Sequence, residues 1–310
     1  VQDAEQPRGE FDLIARFFAG LDAGPDVALG NGDDAAVLRL GPGEELVVSA
    51  DAMLEDVHFP LNSPPADIAY RAVAAAVSDL AAMGARPVAM TLALSLALAD
   101  EAWLGGFREG LVDAVSDFSL PLVGGDLTRG PLALTVQVMG AVPAGAALRR
   151  RGASPGELLY VSGDLGAPAA GLAVLRGELA LPEPLGVMLK RRFWRPAPAL
   201  ALAATLRGQA TSAIDVSDGL LADAGHLARA SGVRLCIESE RLPIAAALRS
   251  AGSPEQVLQW ALAGGEDYVL CFTLPAGLAP PAGCTRIGHV EQGCGVHCDH
   301  AVDAVGYRHF

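Results

Sequence analysis

Ala213-Ile214-Asp215-Val216-Ser217-Asp218-Gly219-Leu220 is the stretch on which the architecture turns. Residues 213–216 read as a short strand, and the run leads directly into a helix over 218–230. Side chains alternate faces along a strand, so Asp215 and Ser217 point the same way and can offer two oxygens to one cation. A strand that delivers a carboxylate at the mouth of a helix is a building block of α/β architecture.

The alternation extends in both directions. Downstream, strands are expected at 233–238 and 268–274. Upstream, a strand at 158–162 is followed by helices at 168–176 and 196–206. Towards the N-terminus, residues 11–21 read as a helix with Leu13, Ile14, Phe17, Phe18 and Leu21 on one face. Residues 46–49 form a strand that delivers Asp51 at its C-terminal end. Pro65 opens a helix along Ile68, Ala72, Val73, Ala76, Val77 and Leu80, closed by Gly84 and Pro87. A strand at 88–98, a helix at 103–118 and strands at 120–123 and 132–142 follow, the last two flanking a Gly124-Gly125-Asp126 loop. The small, turn-rich Pro143-Ala144-Gly145-Ala146-Ala147 separates two mixed units, residues 1–143 and 144–310. A chain of 310 residues suits two such cores.

Hydrophobic residues make up 51% of the chain and charged ones 19%, the balance of a well-buried globular protein. The formal net charge of −14 argues against nucleic acid and anionic membrane as partners, since both repel an acidic surface. The longest apolar run, 87–99, is shorter than the roughly 20 residues of a membrane span. The first residues, Val1-Gln2-Asp3-Ala4-Glu5, are acidic and unlike a signal peptide. Five cysteines, all at or beyond Cys236, suggest reduced thiols and a cytoplasmic location. Cys294, His297, Cys298 and His300, with Cys284 nearby, could be taken for a zinc cluster. They lack Cys-x₂-Cys spacing, however, and alternate like an exposed strand, which is the preferred expectation.

Carboxylates recur in six short motifs: Gly32-Asp33-Asp34, Ser49-Ala50-Asp51, Ser78-Asp79, Gly124-Gly125-Asp126, Asp215-Val216-Ser217-Asp218-Gly219 and Gly264-Gly265-Glu266-Asp267. Such groups on turns and strand ends are the hard oxygen ligands that Mg²⁺ prefers. Any one motif alone reads better as a turn or an N-cap; their recurrence argues for a shared chemistry. Asp79 falls near the end of the Pro65 helix, where the helix dipole disfavours an anion and a bound cation would compensate. Backbone amides at Gly124-Gly125 can approach a phosphate closely. The single lysine, Lys190 in Met188-Leu189-Lys190-Arg191-Arg192, fits neither a P-loop nor a protein-kinase strand. A nucleotide here would be held by metal ions and arginines, with Arg149-Arg150-Arg151 supplying cationic forks.

The order and spacing of these motifs resemble the thiamine-monophosphate kinase family, within the superfamily of aminoimidazole ribonucleotide synthetase. The resemblance also takes in Gly9-Glu10-Phe11-Asp12-Leu13-Ile14, Ser78-Asp79-Leu80-Ala81-Ala82-Met83-Gly84-Ala85, Gly124-Gly125-Asp126-Leu127-Thr128-Arg129-Gly130 and Gly306-Tyr307-Arg308-His309-Phe310. It covers nearly the whole chain. It implies a two-domain mixed α/β (α+β) fold, and a homodimer paired through N-terminal sheets. The implied activity is ATP-dependent phosphorylation of thiamine monophosphate to thiamine diphosphate, the last step of thiamine diphosphate biosynthesis. Carried over by position, Asp34, Ser49, Asp51, Asp79, Asp126 and Asp215 would be magnesium ligands, with Asp218 on a further ion. Gly125, Asp126, Arg150 and Ser217 would contact ATP, and His58, Glu266 and Tyr307 would line the thiamine site. Asp51, Asp126 and Asp215, through bound magnesium, and Arg150 would carry catalysis. Ala50 stands where a Thr often assists the first metal, and Arg108 where the family can have an ATP-contacting Tyr. Related selenophosphate synthetases typically have a reactive Cys or selenocysteine near the N-terminus, and hydrogenase maturation relatives one at the extreme C-terminus; this chain has neither.

The chemistry is consistent with that resemblance. A phosphate acceptor is already anionic near neutral pH, so neither a strong general base nor a covalent phosphoenzyme is required. Positioning and charge neutralisation carry most phosphoryl transfer. Glu266 could face the cationic thiazolium or hydrogen-bond the aminopyrimidine, while Tyr307 could stack on either ring or pin the C-terminus to the core. His58 could contact a phosphate or cap a loop. Trp260, on an apolar helix face with Val257 and Leu258, reads as core.

Overall fold

The computed structural model describes Glu10 to Val302 and Gly306. The chain divides into two compact units. The first takes in the described residues up to Pro42 with Val48–Ala76 and Pro87–Gly140; the second takes in Gly43–Val47, Val77–Arg86 and the chain from Ala141 onward. Among the described residues no helix is long and apolar enough to cross a membrane.

In chain order the first half forms α1 (Glu10–Phe17), β1 (Val27–Leu29), β2 (Val37–Leu38), β3 (Glu44–Leu54), α2 (Pro65–Ala82), β4 (Arg86–Leu96), α3 (Glu101–Phe118), β5 (Leu122–Arg129) and β6 (Ala133–Pro143). β1 and β2 make a two-stranded antiparallel ribbon, and the others a four-stranded sheet in the order β3-β6-β4-β5. β4 and β5 run parallel because α3 provides the crossover between them. α3 starts sharply where the Asp100 carboxylate accepts the amides of Ala102 and Trp103. α2 is mostly apolar and correspondingly buried: Ile68, Val73, Val77 and Leu80 are at most 1% exposed. Gly110 lets α3 approach it, since a Cβ there would lie 2.0 Å from the Ala66 carbonyl oxygen.

Two expectations are corrected here. Gly124-Gly125-Asp126 is not a loop but lies inside β5. Gly125 pairs with Leu92 so closely that a Cβ would sit 1.9 Å from the Leu92 carbonyl oxygen, so this glycine marks a backbone approach rather than a turn. β3 also runs on to Leu54, which puts Asp51 within the strand and not at its end. Ser49 and Asp51 share its less exposed side, as alternation requires, while Val48, Ala50 and Ala52 are exposed.

The second half forms β7 (Leu158–Val161), α4 (Ala167–Leu175), α5 (Leu185–Trp194), α6 (Leu200–Leu206), β8 (Ser212–Asp215), α7 (Leu220–Ser231), β9 (Arg234–Ile237), a 3₁₀ turn (Ser239–Arg241), α8 (Ala246–Arg249), α9 (Pro254–Ala263), β10 (Leu270–Leu274), β11 (Thr285–Glu291) and β12 (Gly295–Cys298). Six strands pair in the order β12-β9-β11-β7-β10-β8, antiparallel throughout except for β12 with β9. One face packs Leu159, Ile214, Leu235 and Ile287 against Leu220, Ala224 and Leu227 of α7 and Trp260 of α9. The other carries Tyr160, Leu270 and Phe272 against Ala203 and Leu206 of α6. Leu220 and Leu227 are fully buried. Each contributes roughly 1.5–3 kcal/mol of apolar burial, which anchors the start of α7. Periodicity does not reveal α5, whose Val187 and Met188 are exposed, or β11, whose alternation a bulge between Arg286 and Gly288 interrupts.

Candidate active site

In the second unit, β8 ends on Asp215, a buried carboxylate whose Oδ2 accepts the Ser78 hydroxyl at 2.8 Å. Burial, and then the charge of Asp79, push its pKa up to about 6; the Ser78 hydrogen bond and the Arg150 charge oppose them. The turn that follows is shaped by Asp223. Its Oδ2 accepts the backbone amides of Ser217 at 3.0 Å, Asp218 at 3.0 Å and Gly219 at 3.2 Å. Burial raises the Asp223 pKa to about 7, helped by the charges of Asp215 and Asp218 and resisted by the amides. α7 therefore begins at Leu220, after Asp218 rather than at it, and Ser217 and Asp218 are half-buried in the turn.

The Gly264–Tyr268 segment is tied to that turn. Glu266 donates its amide to the Ser217 carbonyl at 2.7 Å, and Tyr268 donates its own to Val216 at 2.8 Å. A Cβ on Gly265 (φ +71°) would lie 2.6 Å from the Ser217 carbonyl oxygen. Glu266 (φ 65°) and Tyr268 (φ 51°) are also left-handed, uncommon for residues other than glycine. The Tyr268 hydroxyl donates to Glu266 Oε2 at 2.7 Å. Asp267 turns inward and accepts the Gly166 amide at 2.8 Å, its pKa well above the ordinary carboxylate range through burial. The exposed Arg150 lies on a segment held beside β8, where the Arg149 carbonyl accepts the Ala213 amide at 2.9 Å. Gly306 abuts Ala222 and the Asp218 carbonyl; Tyr307 lies outside the described residues.

In the first unit, Gly125 stands opposite Leu92 and Asp126 opposite Ala93, with Asp126 exposed. A pocket beside them is floored by Ile14, Phe18, Leu92, Leu94 and Leu122. The Asn31 side chain donates to the Leu122 carbonyl at 2.9 Å, holding the chain just before the exposed Asp34. His58 caps its loop: its Nδ1 accepts the Leu54 amide at 3.0 Å, which leaves the ring proton on Nε2. Arg108 donates to the Phe17 and Ala19 carbonyls at 2.7 and 3.2 Å, covering the C-terminal end of α1.

Among the described residues, no three of these carboxylates have ligand oxygens within 4.8 Å of one another. Mg²⁺ keeps several waters and takes only one or two protein carboxylates together with substrate phosphates. Oxygen pairs such as Ser49 with Asp51, and Asp215 next to the charge of Asp79, therefore suit it. Sequence reasoning quoted Ser78 and Asp267 within motifs but gave no individual role to them, nor to Asp223 or Tyr268. Asp223 did leave a usable signal, an acidic residue in the first turn after a Gly.

Residues 32–142 match the family model described as AIR synthase related protein, N-terminal domain. Over 269 residues the chain is 47% identical to the thiamine-monophosphate kinase of Escherichia coli (strain K12), covering 86% of this chain and 83% of that protein. It superposes on the thiamine-monophosphate kinase from Stenotrophomonas maltophilia K279a with a TM-score of 0.83 and 42% identity, covering 93% of this chain and 95% of that one. For AaThiL complexed with AMPPCP and TMP the TM-score is 0.82 and the identity 32%, covering 97% and 96%.

Proposed function

The chain belongs to the thiamine-monophosphate kinase family, and on that premise we propose how its residues carry out the ATP-dependent phosphorylation of thiamine monophosphate to thiamine diphosphate. The observation that carries the scheme is the crowding of Asp215 and Asp223 in buried surroundings, each raised first by burial and then by its carboxylate neighbours. At neutral pH such a set needs protons or cations beside it.

Magnesium on Asp79, Asp215 and Asp218 in the second unit, and on Asp34, Ser49, Asp51 and Asp126 in the first, would neutralise the charge of the reacting phosphates. The acceptor phosphate attacks in line, and no protein nucleophile or phosphoenzyme intervenes. Arg150 grips the polyphosphate with its guanidinium fork. The Gly125 backbone and the Ser217 hydroxyl bind ATP, and the apolar pocket beside Gly125 supports a seat for the adenine ring. Glu266 balances the positive thiazolium, His58 offers its Nε2–H to the substrate, and Tyr307 stacks on a ring. The edge position of β3 and its exposed Leu46, Val48 and Leu54 support a homodimer paired through these sheets. We assign the reaction to the cytoplasm on the strength of five free cysteines.

The test is incubation of the purified protein with Mg²⁺, ATP and thiamine monophosphate, followed by chromatography. Thiamine diphosphate and ADP in equal amounts are expected. ADP and inorganic phosphate without thiamine diphosphate would move the acceptor elsewhere, and ATP binding without turnover would refute catalysis.

A further inference from the structure

A second group of ligand-type side chains lies on the sheet of the second unit. Cys236 Sγ, a ring nitrogen of His289 and a carboxylate oxygen of Glu291 are within 4.8 Å of one another. Register accounts for the convergence. His289 on β11 stands opposite Cys236 on β9, and His297 on β12 flanks Cys236 from the other side. Leu235, Ile237, Ile287 and Val290 turn to the helix-packed core, so Cys236, His289, Glu291 and His297 share the opposite face. His289 Nε2 is 3.1 Å from Glu291 Oε1, while its Nδ1 is 3.7 Å from Glu238 Oε1. Glu238 is in turn held by Arg241 and Arg286. Glu238 thus lies at ion-pair distance from the second ring nitrogen, the side from which a carboxylate orients a metal-binding histidine.

We propose that Cys236, His289 and Glu291 form a binding site for a borderline divalent transition metal, zinc above all, distinct from the magnesium carboxylates. Thiolate, imidazole and carboxylate are zinc donors, whereas Mg²⁺ takes oxygen. Three protein ligands leave the fourth position to water. On binding, the Cys236 S–H bond breaks, a sulfur–metal bond forms and the proton passes to the buffer; nothing is oxidised or reduced. Burial and then the neighbouring Glu291 raise the Cys236 pKa, so the metal-free thiol carries that proton. The charge of Arg234 pulls the Cys236 pKa the other way and would oppose an incoming cation.

The experiment strips the full chain with EDTA and titrates Zn²⁺ by calorimetry in excess Mg²⁺. One equivalent of zinc per chain is expected, and Co²⁺ in its place should give a thiolate-to-cobalt absorption band in the near ultraviolet. Cys236→Ser and His289→Ala should each weaken zinc binding by about tenfold or more and remove or shift that band, with kinase turnover unchanged. Glu238→Gln should weaken binding by about 10- to 100-fold while the band persists. Should Cys236→Ser fail to fold, His289→Ala at the half-buried position carries the test alone. Absence of zinc binding at micromolar metal, or binding that His289→Ala leaves unaltered, overturns the proposal.

Discussion

Raising the pH should destabilise the metal-free protein, and magnesium should reverse the loss. Asp215 titrates at about 6 and Asp223 at about 7 in the folded chain, against an ordinary 3.8. The native state therefore holds the extra protons between about pH 4 and pH 7, so stability is greatest below that window and falls as pH rises through it. Both carboxyls are at most 5% exposed, and solvent screening takes little off the effect. At about 1.4 kcal/mol per pH unit, Asp215 accounts for about 3 kcal/mol and Asp223 for about 4 kcal/mol. The two share one repulsion, so the combined loss is on the order of 5 kcal/mol rather than the full sum. Urea unfolding at about pH 5 and about pH 8, with EDTA or with millimolar Mg²⁺, measures it. The metal-free protein should lose several kcal/mol between the two and the magnesium-bound protein much less. Asp215→Asn and Asp223→Asn separate this from the general self-repulsion of a chain of net charge −14, because each should flatten the slope. A metal-free protein equally stable at both pH values, or a slope that neither variant changes, would refute the reasoning.

Asp126→Asn and Asp51→Asn should abolish turnover with the circular dichroism spectrum retained; near-normal activity in either would remove that residue from the metal set. Glu266→Ala should raise the thiamine monophosphate KM more than the ATP KM, and Tyr268→Phe, which deletes only the hydroxyl on Glu266, should do so to a smaller extent. A selective ATP defect would put Glu266 on the wrong substrate. Gly125→Ala forces a Cβ to within 1.9 Å of the Leu92 carbonyl oxygen, so the β4–β5 pairing must open. A cost of roughly 3 kcal/mol or more is expected in denaturant unfolding, and an unchanged midpoint would show that the strands give way freely.

Most elements were legible because their apolar spacing is strong, as along α2 and α3, and because Pro and Gly mark their ends. Gly124-Gly125-Asp126 misled because glycine signals both a turn and a close approach. The deciding partner, Leu92, is remote in sequence. The hydrogen bond from Ser78 to Asp215 spans 137 positions and leaves no local pattern. The metal question shows the same limit. Closeness in sequence drew attention to Cys294, His297 and Cys298, of which His297 and Cys298 fall on β12, the strand that alternation had indicated. The group that converges is brought together instead by the register of β9 with β11.

The left-handed backbone at Glu266 and Tyr268 has a kinetic consequence. Each such residue costs about 1–3 kcal/mol, and the hydrogen bonds to Val216 and Ser217 meet that cost during folding. The backbone of these two residues then has less entropy to lose when a ligand arrives. On the role proposed for Glu266, cationic ring compounds would then be told apart here mainly by how long they stay rather than by how fast they arrive.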